Sequence, residues 1–223
     1  MHTKYYNSKN EEVPSVTNIM KVFYKEGLLE WANYIGKKNI DYTKFLEEKA
    51  NLGTAVHESL EASLEHRKSA IIGTNEFLKE VDSIVNKFTV VKEAMKISNV
   101  KTELSMSSDR YGGTCDLLCD LVINGDNVRI LGDFKTSKTV YITQFIQLGG
   151  YLNLIKENLP DEYEKIRYCM IFSITKDKVK VQWISKEDCE RYFTKFFFKL
   201  LDVYEGWKQI EFMFENISRS KSY

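Results

Sequence analysis

The sequence predicts an α+β fold in which a central mixed β-sheet is flanked by helices. Apolar residues repeat with helical spacing up to about residue 96 and then alternate with polar residues in successive short segments. A helical segment at 140–158 interrupts these strands, so the order is helices, three strands, helix, two strands and a final helix. This order is typical of an α+β or mixed α/β sandwich. The predicted strands lie at 100–107, 114–123, 127–135, 167–174 and 178–185.

The length and composition indicate an ordinary globular protein. The chain has 223 residues, of which 43% are hydrophobic and 29% are charged, enough for one substantial domain. We interpret residues 1–223 as a single domain, and its parts are a helical, aromatic lobe at 1–50, a core at 51–185 and a C-terminal helix at 186–223. The 32 basic and 32 acidic residues cancel. This argues weakly against a protein that coats nucleic acid through bulk charge, but not against an enzyme with a basic cleft.

The sequence predicts neither export nor membrane insertion. No segment approaches the roughly 20 apolar residues that span a bilayer, and the N-terminus lacks the apolar core of a secretory signal. The four cysteines show no CxxC pair and no zinc-ligand spacing, and Cys115 and Cys119 share one face of a predicted strand. We expect an intracellular protein without a membrane partner, in the cytoplasm of a bacterium or of a phage-infected host, with an organelle left open.

Local signals predict where the helices begin. A helix start is expected at 14–17, with Ser15 or Thr17 as the N-cap. Aromatic and basic residues then interleave from 23 to 45, either as a core-forming aromatic helix or as a surface that stacks unpaired bases. Further helices are predicted at 51–66, 75–96 and 186–214.

The dipeptide Asn124-Gly125 predicts a tight hairpin between the second and third strands, because both central residues of a type I′ turn need a positive φ. With these two residues as the loop, Asp116 and Asp133 fall directly opposite each other on one face of the sheet. If the loop shifts by one residue on each side, Asp116 meets Lys135 instead. Acidic and basic side chains therefore converge in either register.

Two opposed carboxylates repel each other, so this pair needs a cation. Lys135 is one candidate, because Asp133 and Lys135 point to the same face of a strand while Phe134 points to the other. A divalent metal is a better candidate, because hard ions such as Mg²⁺ bind carboxylate oxygens. The alternative interpretation is a plain surface salt bridge between Asp133 and Lys135.

Two further groups of charged residues lie on predicted strands. If Asp109-Arg110 forms the first hairpin turn, Glu103 falls opposite Asp116, although a bulge at Gly112-Gly113 would move this register. Glu103 is thus either at the periphery of a site or a simple strand residue. Three lysines alternate along the last strand, where they either meet phosphates or solvate a sheet edge. They are Lys176, Lys178 and Lys180.

The segments GGTCDLL at 112–118 and LGDFKTSK at 131–138 resemble the D…(D/E)-x-K core of the PD-(D/E)XK nucleases. The similarity is greatest to the branch that contains the nuclease domains of bacterial recombination helicase-nucleases, phage exonucleases and the mitochondrial genome maintenance exonuclease. Three more segments resemble motifs of this branch and occur in the family's order. They are PSVT at 14–17, GTAVH at 53–57 and QLGGY at 147–151.

The resemblance implies a restriction-endonuclease-like core and assigns a role to each matching residue. His57, Asp116, Asp133 and the carbonyl of Phe134 would bind one or two Mg²⁺ or Mn²⁺ ions, which activate water and polarise a phosphate. Lys135 would position or deprotonate that water, or stabilise the charge that builds on the phosphate.

Gln147 and Tyr151, which share a helix face, would contact the catalytic lysine or a DNA phosphate, and the alternative is a polar helix edge. We count both with Glu103 among the candidate catalytic residues. Two departures from the family are visible. Residues 113–115 replace the proline of the family name, as the branch's G-x-x-D pattern allows. Of the cysteines, Cys189 alone lies near the C-terminus, so we expect no iron–sulfur cluster of the kind that some relatives carry.

These expectations together describe a metal-dependent DNA exonuclease that acts on ends or single strands in recombination, repair or replication. Its partner would be single-stranded DNA or a duplex with an end, and a single-strand annealing or single-strand binding protein is a further candidate partner. The exonuclease assignment follows from the resemblance alone, since a fold does not determine a function. The alternatives are a structure-specific or restriction-like endonuclease and a non-catalytic nucleic-acid-binding module.

Overall fold

The computed structural model describes residues 3–23 and 28–220 and has a five-stranded mixed sheet at its centre. The strand order is β3-β4-β5-β6-β7, with β5 and β6 parallel and the other neighbours antiparallel. The predicted α+β fold is therefore confirmed. The strands are a small hairpin of β1 (Tyr5–Tyr6) and β2 (Glu12–Val13), followed by β3 (Ser98–Ser107), β4 (Gly112–Ile123), β5 (Asp126–Lys135), β6 (Ile166–Ile174) and β7 (Val179–Ser185).

Helices precede, interrupt and follow the sheet in the predicted order. They are α1 (Val16–Met20), α2 (Leu28–Lys37), α3 (Tyr42–Leu64), α4 (Asn75–Ala94), α5 (Ile142–Asn158), α6 (Pro160–Lys165), α7 (Lys186–Asp188) and α8 (Lys195–Ser220), with a π-helical turn at Cys189–Thr194. Ser15 caps α1, because its side chain accepts a hydrogen bond from the Asn18 N–H. Helix α3 begins well before residue 51, since Asp41 caps it with bonds from Thr43 and Lys44.

Two hydrophobic clusters cover the two faces of the sheet. One face packs against α3 and α4, and Leu117 and Phe134 point into it. The other face packs against α1, α5 and α8, and Leu118 and Leu131 point into it. The strands that are buried on both faces carry nearly continuous apolar runs, as expected for a sheet between two helical layers.

The β4–β5 hairpin has the predicted turn and register. Asn124 has φ 53° and Gly125 has φ 92°, the two positive values that a type I′ turn requires. The ladder runs from Ile123–Asp126 to Leu117–Gly132 without a shift. The local chemistry of two turn residues therefore predicts the pairing of the whole hairpin.

The β3–β4 hairpin also has the predicted register but contains an unexpected twist. Pairs on either side, Thr102–Leu117 and Leu104–Cys115, place Glu103 opposite Asp116, and the register shift lies between Ser98 and Lys101 rather than at Gly112-Gly113. At Glu103 the backbone has φ 45°, a left-handed conformation that is uncommon for residues other than glycine.

At this twist, side chains that would alternate between the two faces of the sheet change to the opposite face. Cys115 packs in the cluster beside α5, whereas Cys119 packs in the cluster beside α3 and α4. The expectation that these two cysteines share a face is therefore wrong, because simple alternation is interrupted beside Glu103. All four cysteines are buried free thiols, as small apolar residues of a core would be.

Part of the predicted aromatic lobe lies outside the residues that the structure describes. Tyr24 and the side chain of Trp31 belong to this part. Among the helices that the structure describes, none is both long and apolar enough to cross a membrane. The division of the chain into lobe, core and C-terminal helix stays a prediction.

Candidate metal centre

The candidate site lies where β4 and β5 part at the carboxyl end of β5. Their ladder ends at Leu117–Gly132, one pair before Asp116 and Asp133. The Asp116 Oδ2 atom instead accepts a hydrogen bond of 2.8 Å from the Phe134 N–H. The ladder thus has the predicted register but stops one pair short of Asp116 and Asp133, and there the Asp116 carboxylate bonds to the backbone of β5. Both carboxylates nevertheless remain at this opening of the sheet.

Asp133 is the most deeply buried acid of the site. It is 1% exposed, and its Oδ1 atom has no hydrogen-bond partner. The Lys135 ammonium contacts Oδ2 at 2.5 Å, so Lys135 balances the charge and occupies one of the two oxygens. Burial raises the pKa of Asp133 to about 6, with Lys135 opposing this shift and Asp116 adding to it.

Lys135 keeps its positive charge in this environment. Burial alone would lower the pKa of its ammonium, but the neighbouring carboxylates of Asp133 and Asp116 outweigh burial and raise the pKa above its ordinary value. The predicted same-face arrangement of Asp133 and Lys135 is thus confirmed as a direct ion pair.

His57 reaches the same opening from α3. Its Nδ1 atom lies 3.4 Å from Oδ2 of Asp116, and its ring packs edge-on against Phe134 with the centroids 6.1 Å apart. Gly53, one turn earlier on the same helix face, faces the end of β5: a Cβ there would lie 3.7 Å from the Thr136 hydroxyl oxygen. Helix α3 therefore lies against the strand end that carries the site, at a distance that would also accept a Cβ at Gly53.

Glu103 completes a cluster of three ligand-type side chains. Single ligand atoms of His57, Glu103 and Asp116 all lie within 4.8 Å of one another. Glu103 is exposed as a residue, yet partial burial of its carboxylate raises its pKa to about 7, with further contributions from Asp116 and Glu61. Glu103, with its positive φ, lies opposite Asp116 in the register of β3 and β4.

These residues fit a divalent cation. Carboxylate oxygens suit Mg²⁺ or Mn²⁺, His57 offers an imidazole nitrogen as a further ligand atom, and Oδ1 of Asp133 has no partner of its own. A buried carboxylate oxygen without a hydrogen-bond donor is costly unless something else binds it. Phe134 contributes its N–H to Asp116 and its ring to the core, and the predicted role of its carbonyl stays a prediction.

Gln147 and Tyr151 lie on α5, on the other side of the opening. The Gln147 Nε2 atom donates to the Tyr151 hydroxyl at 2.8 Å. Burial raises the pKa of Tyr151, and the charges of Asp133 and Asp116 add to this shift. A Cβ at Gly113 would lie 2.7 Å from the Tyr151 ring, so the glycine at this position lets the ring pack on β4. The expected contact with Lys135 or a phosphate stays a prediction.

One feature beside the site was not expected from the sequence. Arg67, just beyond α3, forms ion pairs of 2.8–2.9 Å with Glu58, Glu61 and Glu65. It thereby balances an acidic face of the helix that carries His57. The signal was present in the sequence, since the three glutamates have helical spacing and a lone arginine follows them.

Comparison with known proteins adds little. No protein-family model matches the chain, and no curated protein matches it. A solved structure described as "Crystal structure of SSO0001" shares 14% identity over 94% of this chain and 78% of its own, with a TM-score of 0.37. A structural overlap at this TM-score carries no argument about fold or function.

Proposed function

We propose that this chain is a metal-dependent DNA nuclease that hydrolyses phosphodiester bonds, acting as an exonuclease on DNA ends or single strands. The observation that carries the proposal is the buried Asp133 carboxylate, whose Oδ1 atom lacks a hydrogen-bond partner and whose charge is matched by Lys135 at Oδ2. The neighbouring cluster of His57, Glu103 and Asp116 supports it, because it offers further ligands at the same opening. The resemblance to the PD-(D/E)XK nucleases agrees with these roles.

Each side chain would have a distinct task. His57, Asp116 and Asp133 would hold one or two Mg²⁺ or Mn²⁺ ions, with Glu103 at the periphery. When bound, such an ion polarises the scissile phosphate and lowers the pKa of an attacking water. Lys135, held against Asp133, would orient that water or stabilise the negative charge that builds on the phosphate oxygens.

The metal requirement is tested with end-labelled linear DNA. Cleavage is expected with Mg²⁺ or Mn²⁺ and not in EDTA, and metal-independent cutting by the pure protein would contradict the proposal. The same assay with linear and circular, single-stranded and double-stranded DNA separates an exonuclease from an endonuclease. An exonuclease leaves circles intact, whereas cleaved circles favour the restriction-like alternative.

Lys135→Ala provides the sharpest test of the site. We expect kcat to fall by roughly 10²–10³, the usual effect of removing a group that stabilises charge in the transition state. Lys165→Ala is a matched control, because Lys165 is an exposed lysine at the opposite end of β6. An active Lys135→Ala variant would show that the site is misassigned, and a folded chain that binds DNA without cleaving it would support the non-catalytic alternative.

A further inference from the structure

A row of three residues extends the candidate site across the sheet. In the ladder, Lys135 on β5 pairs with Ser173 on β6, and Ser173 pairs with Lys180 on β7. Neighbouring residues of adjacent strands point to the same face, and strands lie about 4.8 Å apart, so the Cα atoms of Lys135 and Lys180 are about 10 Å apart. Lys180 therefore stands on the same face as Lys135, two strands further toward the sheet edge.

Hydrogen bonds hold the loop after β5 against this row. The buried Ser173 hydroxyl donates to the Ser137 carbonyl at 2.6 Å, and the Lys180 ammonium donates to the Lys138 carbonyl at 3.2 Å. The Ser137 hydroxyl in turn donates to the Thr139 carbonyl at 2.8 Å. The loop is thereby fixed in a position that presents Lys138, whose side chain is 79% exposed.

The β6–β7 turn adds more positive charge at the same edge. Lys176 and Lys178 are both exposed there, and Asp177 between them forms an exposed ion pair of 3.4 Å with Lys138. Such an exposed ion pair contributes little to stability, so Lys138 can readily exchange Asp177 for another anion. We call this surface the lysine rim, and it consists of Lys138, Lys176, Lys178 and Lys180.

We propose that the lysine rim binds the phosphate backbone of the DNA strand that enters the candidate site. This inference rests on the proposed nuclease function and adds the path of the substrate. The rim and a DNA strand have complementary charges. Because the whole chain has a net charge of zero, attraction to a polyanion has to come from a local concentration of cations. The rim is such a concentration, and the ladder joins it to Lys135.

The test is binding of a fluorescein-labelled single-stranded oligonucleotide in EDTA, where cleavage does not interfere. In the triple variant Lys138→Gln, Lys178→Gln, Lys180→Gln we expect affinity to fall by about tenfold or more at low salt. The slope of log K against log salt should decrease by about 2, or roughly 0.7 for each lost phosphate contact. Replacing the same three lysines by arginine should retain both affinity and slope.

A matched control is the double variant Lys165→Gln, Arg167→Gln, which removes two exposed charges near the opposite end of β6. Unchanged binding by the rim variant, or an equal loss in the control, would overturn the inference while leaving the nuclease proposal intact. Absence of DNA binding by the wild-type chain would instead contradict the proposed function itself. Circular dichroism shows whether each variant is folded, and if the glutamine variant is not, Lys180→Glu alone should still weaken binding.

Discussion

At the scale of single residues, burial of the Asp133 carboxylate costs the folded state free energy. It is almost fully buried, its Oδ1 atom has no hydrogen-bond donor, and it has a second acid, Asp116, for a neighbour. Lys135 compensates for its charge but not for its lost hydration. This arrangement does not favour the stability of the fold by itself, but it suits a chain that binds a cation.

Asp133→Asn is therefore expected to stabilise the metal-free protein. The pKa of Asp133 is about 6 in the folded state and 3.8 at its reference value, so the folded state retains a proton that the unfolded state loses between about pH 4 and pH 6. The free energy of unfolding then falls as pH rises through this window. Above pH 7 the variant should therefore be the more stable of the two, and near pH 4 the two should be equal.

Urea unfolding in EDTA at both pH values measures this difference. Asp126→Asn is the control, because Asp126 is an exposed acid on the same strand and its replacement should change stability by less than about 0.5 kcal/mol. A destabilised Asp133→Asn at pH 8 would contradict the prediction and show that the pair with Lys135 outweighs the burial of the carboxylate.

Glu103 supplies a second prediction at this scale, concerning the pH dependence of metal binding. Because its pKa is about 7, its carboxylate is largely protonated at pH 6 and ionised at pH 8. Affinity for Mn²⁺, measured by isothermal titration calorimetry, should rise through this range, and Glu103→Gln should remove most of the rise. If the variant shows the wild-type pH profile, Glu103 does not contact the ion.

At the scale of elements, the packing of α5 on the π-helical turn sets the position of Gln147 and Tyr151. A Cβ at Gly149 would lie 2.6 Å from the Thr194 nitrogen and 2.7 Å from the Phe193 carbonyl carbon, both in the backbone. The Thr194 hydroxyl also donates to the Gly149 carbonyl at 3.0 Å. Backbone atoms cannot turn aside as side chains do, so this contact admits only glycine.

Gly149→Ala should therefore lower the free energy of unfolding by about 1–3 kcal/mol, through overpacking. Gly206→Ala is the matched control, since a Cβ at Gly206 in α8 meets nothing within 4 Å. Its replacement should stabilise the helix by roughly 0.5–1 kcal/mol. Urea unfolding of both variants gives the comparison, and equal effects would mean that α5 and the turn adjust freely.

At the scale of the whole molecule, the candidate ligands that cluster together, apart from Asp133 on β5, come from three elements. His57 lies on α3, Glu103 on β3 and Asp116 on β4. An ion held by all three would join a helix to the sheet and stabilise the folded chain by mass action. At 100 times its dissociation constant, an ion that binds only the folded state contributes about 2.7 kcal/mol, or a rise in Tm of about 5–10 °C.

Differential scanning fluorimetry with Mn²⁺ and with EDTA tests this expectation. Asp116→Asn should lose most of the shift, and Asp82→Asn, which alters an exposed acid on α4, should keep it. A shift of the same size in the Asp116→Asn chain would place the ion elsewhere.

The sequence by itself determined the fold class, the order of elements and the register of the central hairpins. Those features depend on local chemistry: apolar periodicity, the Ser15 cap, and two residues at the Asn124-Gly125 turn that accept a positive φ. Only the tertiary structure decided where the β4–β5 ladder ends and that Asp116 accepts a hydrogen bond from the Phe134 N–H. It also decided that the strand side chains change from one face of the sheet to the other beside Glu103. These features depend on contacts between segments that are far apart in the sequence, and a local pattern does not encode such contacts.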